Sequence, residues 1–462
     1  MRATKIIATL GPKSATQSAI SDLVKEGANA FRINLSYDDT SSHKALVSNV
    51  RAVEAAIGKP IALIADISGT RFRIGEFLNG SVQLEAGQTF RLDQDETPGD
   101  ENRVHLPVPA AFTSSSIGDL LRLDDGRVML RVTKISPVSI NCTVVAGSEL
   151  SSHKIISLPK IAPLKKTLSD QDKSQINWSL GAGIDWLSVS WPDDIKKWTL
   201  IRSLAGPMKL LARIETRAAL ESSIEAITQS DGLVIARGDL GYDLPPEEIP
   251  EWQKRLVRDS RKAGKPVVIS AQMLESMVLS PAPTRAEASD VANAVKDGAD
   301  ALMLSAETAV GAYPREAVQL MASVIEQSES TQRSRPASIS ANASISETIA
   351  NSAAQAANSL KAPVIFCFTT SGSTALAVAQ TRPNTPVVCA ADNMQTLRQM
   401  QLAWGLDCRK APALAAWKDV VDTAVGLAKE MKIKTGTPLV ITAGMPFGTA
   451  GSTNILRIAT AE

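Results

Sequence analysis

Short unbroken apolar runs punctuate this chain at 4–10, 29–35, 61–67, 184–189, 208–214, 232–236, 266–271 and 299–304, with helical-period stretches between them. A strand buried on both faces reads as a continuous apolar run, and strand–helix alternation predicts parallel strands. Eight such runs match a closed (β/α)₈ TIM barrel. Helix starts are legible as well: Thr284-Arg285-Ala286-Glu287 reads as a capping box, and Pro314 suits a first helical turn. Far more chain separates the third and fourth runs than one helix needs. There, 81–94 and 119–132 alternate apolar and polar residues, with turn signals at Ala86-Gly87 and Asp124-Asp125-Gly126. That texture predicts a small β-barrel domain of antiparallel strands inserted into the larger barrel. Segment 328–346, rich in Ser, Ala, Arg and Pro, reads as a linker. Beyond it, 363–368, 386–390 and 438–441 read as parallel strands flanked by helices over 393–404 and 417–431, an open α/β domain. The expected domains are 1–69 with 158–330, 70–157, and 345–462.

Composition narrows the function classes. A chain of 462 residues with a formal charge of +1 has no basic surplus for nucleic acid or an anionic membrane, and 4% aromatic residues leave little for base stacking. Cys142, Cys367, Cys389 and Cys408 are far apart and read as reduced, buried thiols. The histidines His43, His105 and His153 lack zinc-site spacing. The first residues become strand-like at once, without a signal-peptide apolar core, and no run reaches membrane-spanning length. A cytoplasmic, multi-domain protein is expected.

The run 208–214 ends in Arg213-Ile214-Glu215, and 231–236 ends in Arg237-Gly238-Asp239-Leu240-Gly241. Catalytic groups of a (β/α)₈ barrel sit where its strands end. Glu215 and Asp239 are therefore expected to face one pocket beside Arg213, an arrangement suited to Mg²⁺ held against an anionic substrate. A salt-bridged barrel rim is the structural alternative. No Gly-x-x-x-x-Gly-Lys loop occurs, so any phosphate must be held by cations and strand-end loops. In the C-terminal part, 369–375 (Thr-Thr-Ser-Gly-Ser-Thr-Ala) could bind phosphate or could simply cap a helix.

Three stretches carry a resemblance: Ala236-Arg237-Gly238-Asp239-Leu240-Gly241, Gln272-Met273-Leu274-Glu275-Ser276-Met277, and Pro283-Thr284-Arg285-Ala286-Glu287 followed by Asp290-Val291-Ala292-Asn293-Ala294. With them the chain resembles the pyruvate kinase family, bacterial forms most closely, from Thr4-Lys5-Ile6-Ile7-Ala8-Thr9-Leu10-Gly11-Pro12 to Gly451-Ser452-Thr453-Asn454. The resemblance implies phosphoryl transfer from phosphoenolpyruvate to ADP, giving pyruvate and ATP in glycolysis. It also implies Mg²⁺ or Mn²⁺, usually K⁺, and a homotetramer. Carried over position by position, it makes Arg32 a phosphate-binding catalytic arginine and Arg213 the occupant of the family's catalytic lysine position. Gly238, Asp239 and Ala271 fall on the substrate side. Arg73, Lys154 and Tyr37 fall on the nucleotide side. Glu215 and Asp239 match Mg²⁺ ligands, and Asn34, Ser36, Asp66 and Ile67 match K⁺ ligands. The similar C-terminal turn of the family takes allosteric sugar phosphates, with 448–454 as the facing loop.

The departures cluster. Arg213 replaces lysine, Ala271 replaces a threonine at the substrate carboxylate, Tyr37 replaces histidine and Val310 replaces lysine. Ser68 stands for a lysine, Arg71 for an acidic residue and Ser157 for asparagine. Branches of the family with lysine at the Arg71 position dispense with K⁺, so K⁺ is expected to be dispensable here. Two other functions stay open on these residues: a non-catalytic or regulatory paralogue, and a Mg²⁺-dependent enolate-forming lyase on a 2-oxo acid.

Overall fold

Each of the eight apolar runs forms a strand that pairs in parallel with the next along the chain, and the eighth closes on the first. The strands are Lys5–Thr9, Ala30–Asn34, Ala62–Asp66, Trp186–Ser190, Lys209–Ile214, Gly232–Ala236, Val267–Ser270 and Ala301–Leu304. This computed structural model describes residues 2–36, 40–67, 72–158, 168–192, 194–331, 343–446 and 453–462. Register decides which side chains meet at the strand ends. Asn34 and Ser188 both lie opposite Asp66, Ser190 lies opposite Arg213, and Ala236 lies opposite Ser270. The box expected at Thr284 caps the helix Arg285–Asp297, with Thr284 and Glu287 bonding each other's backbone amides.

The inserted segment has its own core, built on Phe90, Leu92, Leu130 and Ile140. Its strand pairings are antiparallel, as expected, except at one edge. Its main sheet has five strands in the order Arg103–His105, Thr89–Asp93, Ser139–Ala146, Val128–Ser136, Leu120–Leu123, beside a two-stranded ribbon of Ser81–Gln83 and Glu149–Ser151. The first pair is parallel. A buried fork links the two strands: Arg103 on one donates to Asp93 on its neighbour, Nη2 to Oδ1 at 2.6 Å and Nε to Oδ2 at 2.9 Å. The segment also touches the barrel, since Ser157 Oγ and Arg122 Nη1 both donate to the Tyr242 carbonyl, at 2.9 and 3.2 Å.

The C-terminal sheet has five strands, in the order Leu406–Lys410, Val387–Ala391, Ile365–Phe368, Pro438–Gly444, Thr453–Thr460, and only the last is antiparallel. The two outer strands escaped the sequence reading because they mix exposed and buried residues. The expected linker is shorter than 328–346, because the helix Pro314–Thr331 runs past Ser328 and a new helix opens at Ile345 under a Ser344 cap. A turn of this domain plugs the base of the barrel: Leu402 packs with Ile7, Ile64 and Trp186, and Trp186 Nε1 donates to the Gln399 carbonyl at 3.1 Å. All four cysteines are buried and unpaired, and no described helix is long and apolar enough to cross a membrane.

Candidate active site

At the end of the barrel where the strands finish, a cavity of about 500 Å³ is lined by Arg32, Asn34, Ser36, Asp66, Ile67, Arg73, Arg213, Glu215, Asp239 and Ala271, together with several serines. The strand ends thus bring together nearly every residue singled out from the sequence. Tyr37, Ser68 and Arg71 lie outside the described residues. Lys154 is not among the lining residues; its Nζ pairs with Asp124 of the inserted segment at 2.6 Å. Arg73 reaches the cavity from that segment and donates to the His153 carbonyl at 2.8 Å. Gly238 sits behind the wall, where a Cβ would come 3.2 Å from that of Ala271. Val310 is absent from the lining and half exposed.

Asp66 is the hub. Arg32 donates to its Oδ2, through Nε at 2.8 Å and through Nη2, while Arg213 Nη1 donates to its Oδ1. Burial pushes the Asp66 carboxyl up, but Arg213 and Arg32 outweigh it and hold the group below the usual carboxylate range. Arg213 is itself buried, and burial alone would lower its pKa; Asp66, Glu215 and Asp239 outweigh that and raise it. Its Nε donates to Glu215 Oε2 at 2.6 Å, and its Nη2 donates to Ser190 Oγ at 2.8 Å and the Ile67 carbonyl at 3.2 Å. Ser190 Oγ in turn donates to Glu215 Oε1 at 2.6 Å. Arg213 is therefore not the only partner of Glu215, and Ser190 is a site residue that the sequence reading passed over. Its place as the polar residue directly after the apolar run 184–189 was the available signal.

A second omission is Arg237, quoted only as part of a matching stretch. The wall at Ala271 and Gln272 turns through left-handed backbone, φ 71° and 53°, which costs non-glycine residues energy. Buried Arg237 clamps that turn. Its Nη2 donates to the Ala271 carbonyl at 2.9 Å and the Gln272 carbonyl at 3.3 Å, and Asp290 Oδ2 anchors the guanidinium at 2.7 Å.

The oxygen donors suit a divalent ion at one place and resist a monovalent one at the other. Glu215 and Asp239 bring hard carboxylate oxygens to one cavity, with Glu215 already accepting from Arg213 and Ser190, so a divalent ion would share these oxygens with neutralising donors. Among the described residues no cluster of three or more acidic, His or Cys groups forms a closed metal cage. The K⁺ donor set fits poorly. Both Asp66 oxygens face guanidiniums, the Ile67 carbonyl accepts from Arg213, and Asn34 Oδ1 accepts from Ser36 N at 3.0 Å.

Comparison with known proteins agrees with this geometry. The family profile "Pyruvate kinase, barrel domain" matches residues 1–318, and "Pyruvate kinase, alpha/beta domain" matches 347–459. A pyruvate kinase of Methylorubrum extorquens is 39% identical over 475 residues, covering 99% of this chain and 97% of its own. One from Agrobacterium vitis is 37% identical over 465 residues, covering 99% and 98%. The solved structure of a Cryptosporidium parvum pyruvate kinase superposes with a TM-score of 0.90 at 29% identity, covering 100% of this chain and 96% of that one. With matching profiles over both its barrel and its C-terminal sheet, and relatives aligned end to end, this chain belongs to the pyruvate kinase family.

Proposed function

We propose that the cavity transfers the phosphoryl group of phosphoenolpyruvate to ADP, and that it does so with Mg²⁺ or Mn²⁺ and without K⁺. The carrying observation is that three guanidiniums, of Arg32, Arg73 and Arg213, line the same cavity as Glu215 and Asp239. Phosphoryl transfer asks mainly for positioning and for neutralisation of oxygen charge. Arg32 and Arg213, both fixed on Asp66, are pre-oriented to hold phosphoryl oxygens, and Arg73 meets them from the inserted segment. Glu215 and Asp239 would hold the divalent ion, which supplies Lewis-acid charge to the phosphoryl oxygens and the enolate. Arg213 stabilises that charge but keeps its proton throughout. Ala271 has no titratable atom, so the proton for the enolate carbon does not come from that side chain.

The proposed K⁺ independence rests on a second feature besides the identity of residue 71. The Arg213 guanidinium donates to Asp66 and to the Ile67 carbonyl, two of the four implied K⁺ ligands. It thereby places a tethered positive charge where the free cation would bind. ADP would meet Arg73, with Lys154 and Tyr37 assigned to the nucleotide side by resemblance alone, and the amides at Gly238 and Asp239 would face the substrate carboxylate. We assign 1–69 with 158–330 to the catalytic barrel, 70–157 to a lid and 345–462 to the C-terminal domain, in a cytoplasmic homotetramer.

Calorimetry tests the metal assignment. Glu215→Gln with Asp239→Asn is expected to abolish Mn²⁺ binding seen in the unaltered protein. Unchanged affinity would remove these residues from the metal site.

A further inference from the structure

A second cleft lies at the opposite end of the barrel, where the strands begin and the C-terminal domain docks. It encloses about 690 Å³, within the range of small-molecule sites. Four basic side chains line it, Arg2, Arg261, Lys296 and Arg382, against a single carboxylate, Glu329. That carboxylate is committed elsewhere, accepting from Ala3 N at 2.8 Å and Thr4 N at 2.7 Å. Arg261 and Lys296 sit in the last turns of their helices, whose carbonyl ends offset part of the positive potential. Arg382 follows the helix Ser373–Gln380 and donates to Gly298, the C-cap of Arg285–Asp297, and to Asp300, so its charge is offset only in part as well. It enters from the C-terminal domain, is 8% exposed, and is stacked with its guanidinium carbon 4.6 Å from the Trp404 ring centroid.

The polar accounting of Arg382 is incomplete. Nη2 donates to the Gly298 carbonyl at 3.0 Å and to Asp300 at 3.1 Å, but among the described residues Nε and Nη1 have no hydrogen-bond partner. A buried, half-satisfied guanidinium is costly. Burial pushes its pKa down to about 10, so it still carries its charge near neutral pH. A void of about 10 Å³ beside it has room for roughly one water, which can accept a hydrogen bond but brings no negative charge.

We propose that this cleft binds a small phosphate-bearing anion. Guanidinium forks match phosphate oxygens in pairs, and the surplus of cations demands an anion rather than a neutral ligand. Three of the cations belong to the barrel and Arg382 to the C-terminal domain, so a bound anion ties the two together and stabilises their docking.

The test is calorimetry on the full-length protein at fixed ionic strength, with inorganic phosphate and with glucose 6-phosphate, and without Mg²⁺ or nucleotide. A binding step is expected that Arg261→Gln and Arg382→Gln each weaken by about tenfold or more, roughly 1.4 kcal/mol, and that Arg32→Gln leaves intact. Anion-dependent thermal stabilisation should disappear with it. Tighter binding of the ester would assign an organic phosphate, and equal binding would assign phosphate itself. Arg261 is at a solvent-side helix end, so its variant keeps the test valid if Arg382→Gln loosens the fold. No binding, or binding lost in Arg32→Gln but retained in Arg261→Gln, would overturn the proposal.

Discussion

Asp66 carries two guanidiniums on one carboxylate, and that is what makes Arg213 more than a bulky substitute for lysine. An ammonium at position 213 could satisfy Asp66 or Glu215, but it lacks the planar fork that also reaches Ser190 and the Ile67 carbonyl. Arg213→Lys should therefore free an oxygen seat beside Asp66. We expect the variant to lose about 10²-fold in turnover without K⁺, the usual effect of removing one preorganised charge-stabilising group, and to recover much of it when K⁺ is added. Thallium-205 resonance should report monovalent-cation binding in the variant and none in the unaltered protein. Equal K⁺ insensitivity of both proteins would place the tethered charge elsewhere. Ala271 limits what can be restored at its own position, because a β-branched threonine at φ 71° meets a backbone cost of about 1–3 kcal/mol.

At the scale of elements, the turn after Val267–Ser270 depends on a residue from the neighbouring helix. Arg237→Lys keeps a charge for Asp290 but cannot bridge two carbonyls. We expect a rise in KM for phosphoenolpyruvate with a smaller change in kcat, and a loss of about 1–3 kcal/mol as a buried bonding group is left unpaired. An unchanged KM would mean that the turn holds its shape unaided. The barrel strands were legible because strands buried on both faces leave apolar runs, and the Thr284 box because its chemistry is local. The site network was less legible. The sequence placed Glu215 near Arg213, but only register brings Ser190 opposite Arg213 and Asp66 beneath it. The parallel edge pair of the inserted segment is bridged by the buried Arg103–Asp93 fork, which no periodicity announces. In the C-terminal turn, Gly372 N donates to Thr369 Oγ1 at 3.0 Å and Thr374 pairs with Thr453 at 2.7 Å, while Gly372 itself brings no side-chain cap to the helix Ser373–Gln380.

Across the whole molecule, the base of the barrel and the C-terminal domain share a charged joint. Asp185 accepts from Arg51 and from Leu63 N, each at 2.8 Å, its carbonyl accepts from Gln399, and Arg398 pairs with Glu54 nearby. Burial pushes Asp185 up to about 6 from 3.8, against the pull of Arg51. The folded protein thus keeps a proton that the unfolded chain has already released. The resulting stability is complete below 3.8 and is lost as pH rises through about 6. Relative to Asp185→Asn, the unaltered protein should lose on the order of 3 kcal/mol across that window and nothing further above it; a flat difference would show that Asp185 titrates normally. The most direct measurement is pyruvate formation from phosphoenolpyruvate and ADP by the purified protein, with Mg²⁺, in tetramethylammonium and in K⁺ at equal ionic strength. The account predicts ADP- and Mg²⁺-dependent turnover at the same rate in both salts. A many-fold activation by K⁺, or no ADP-dependent pyruvate at any enzyme concentration, would contradict it.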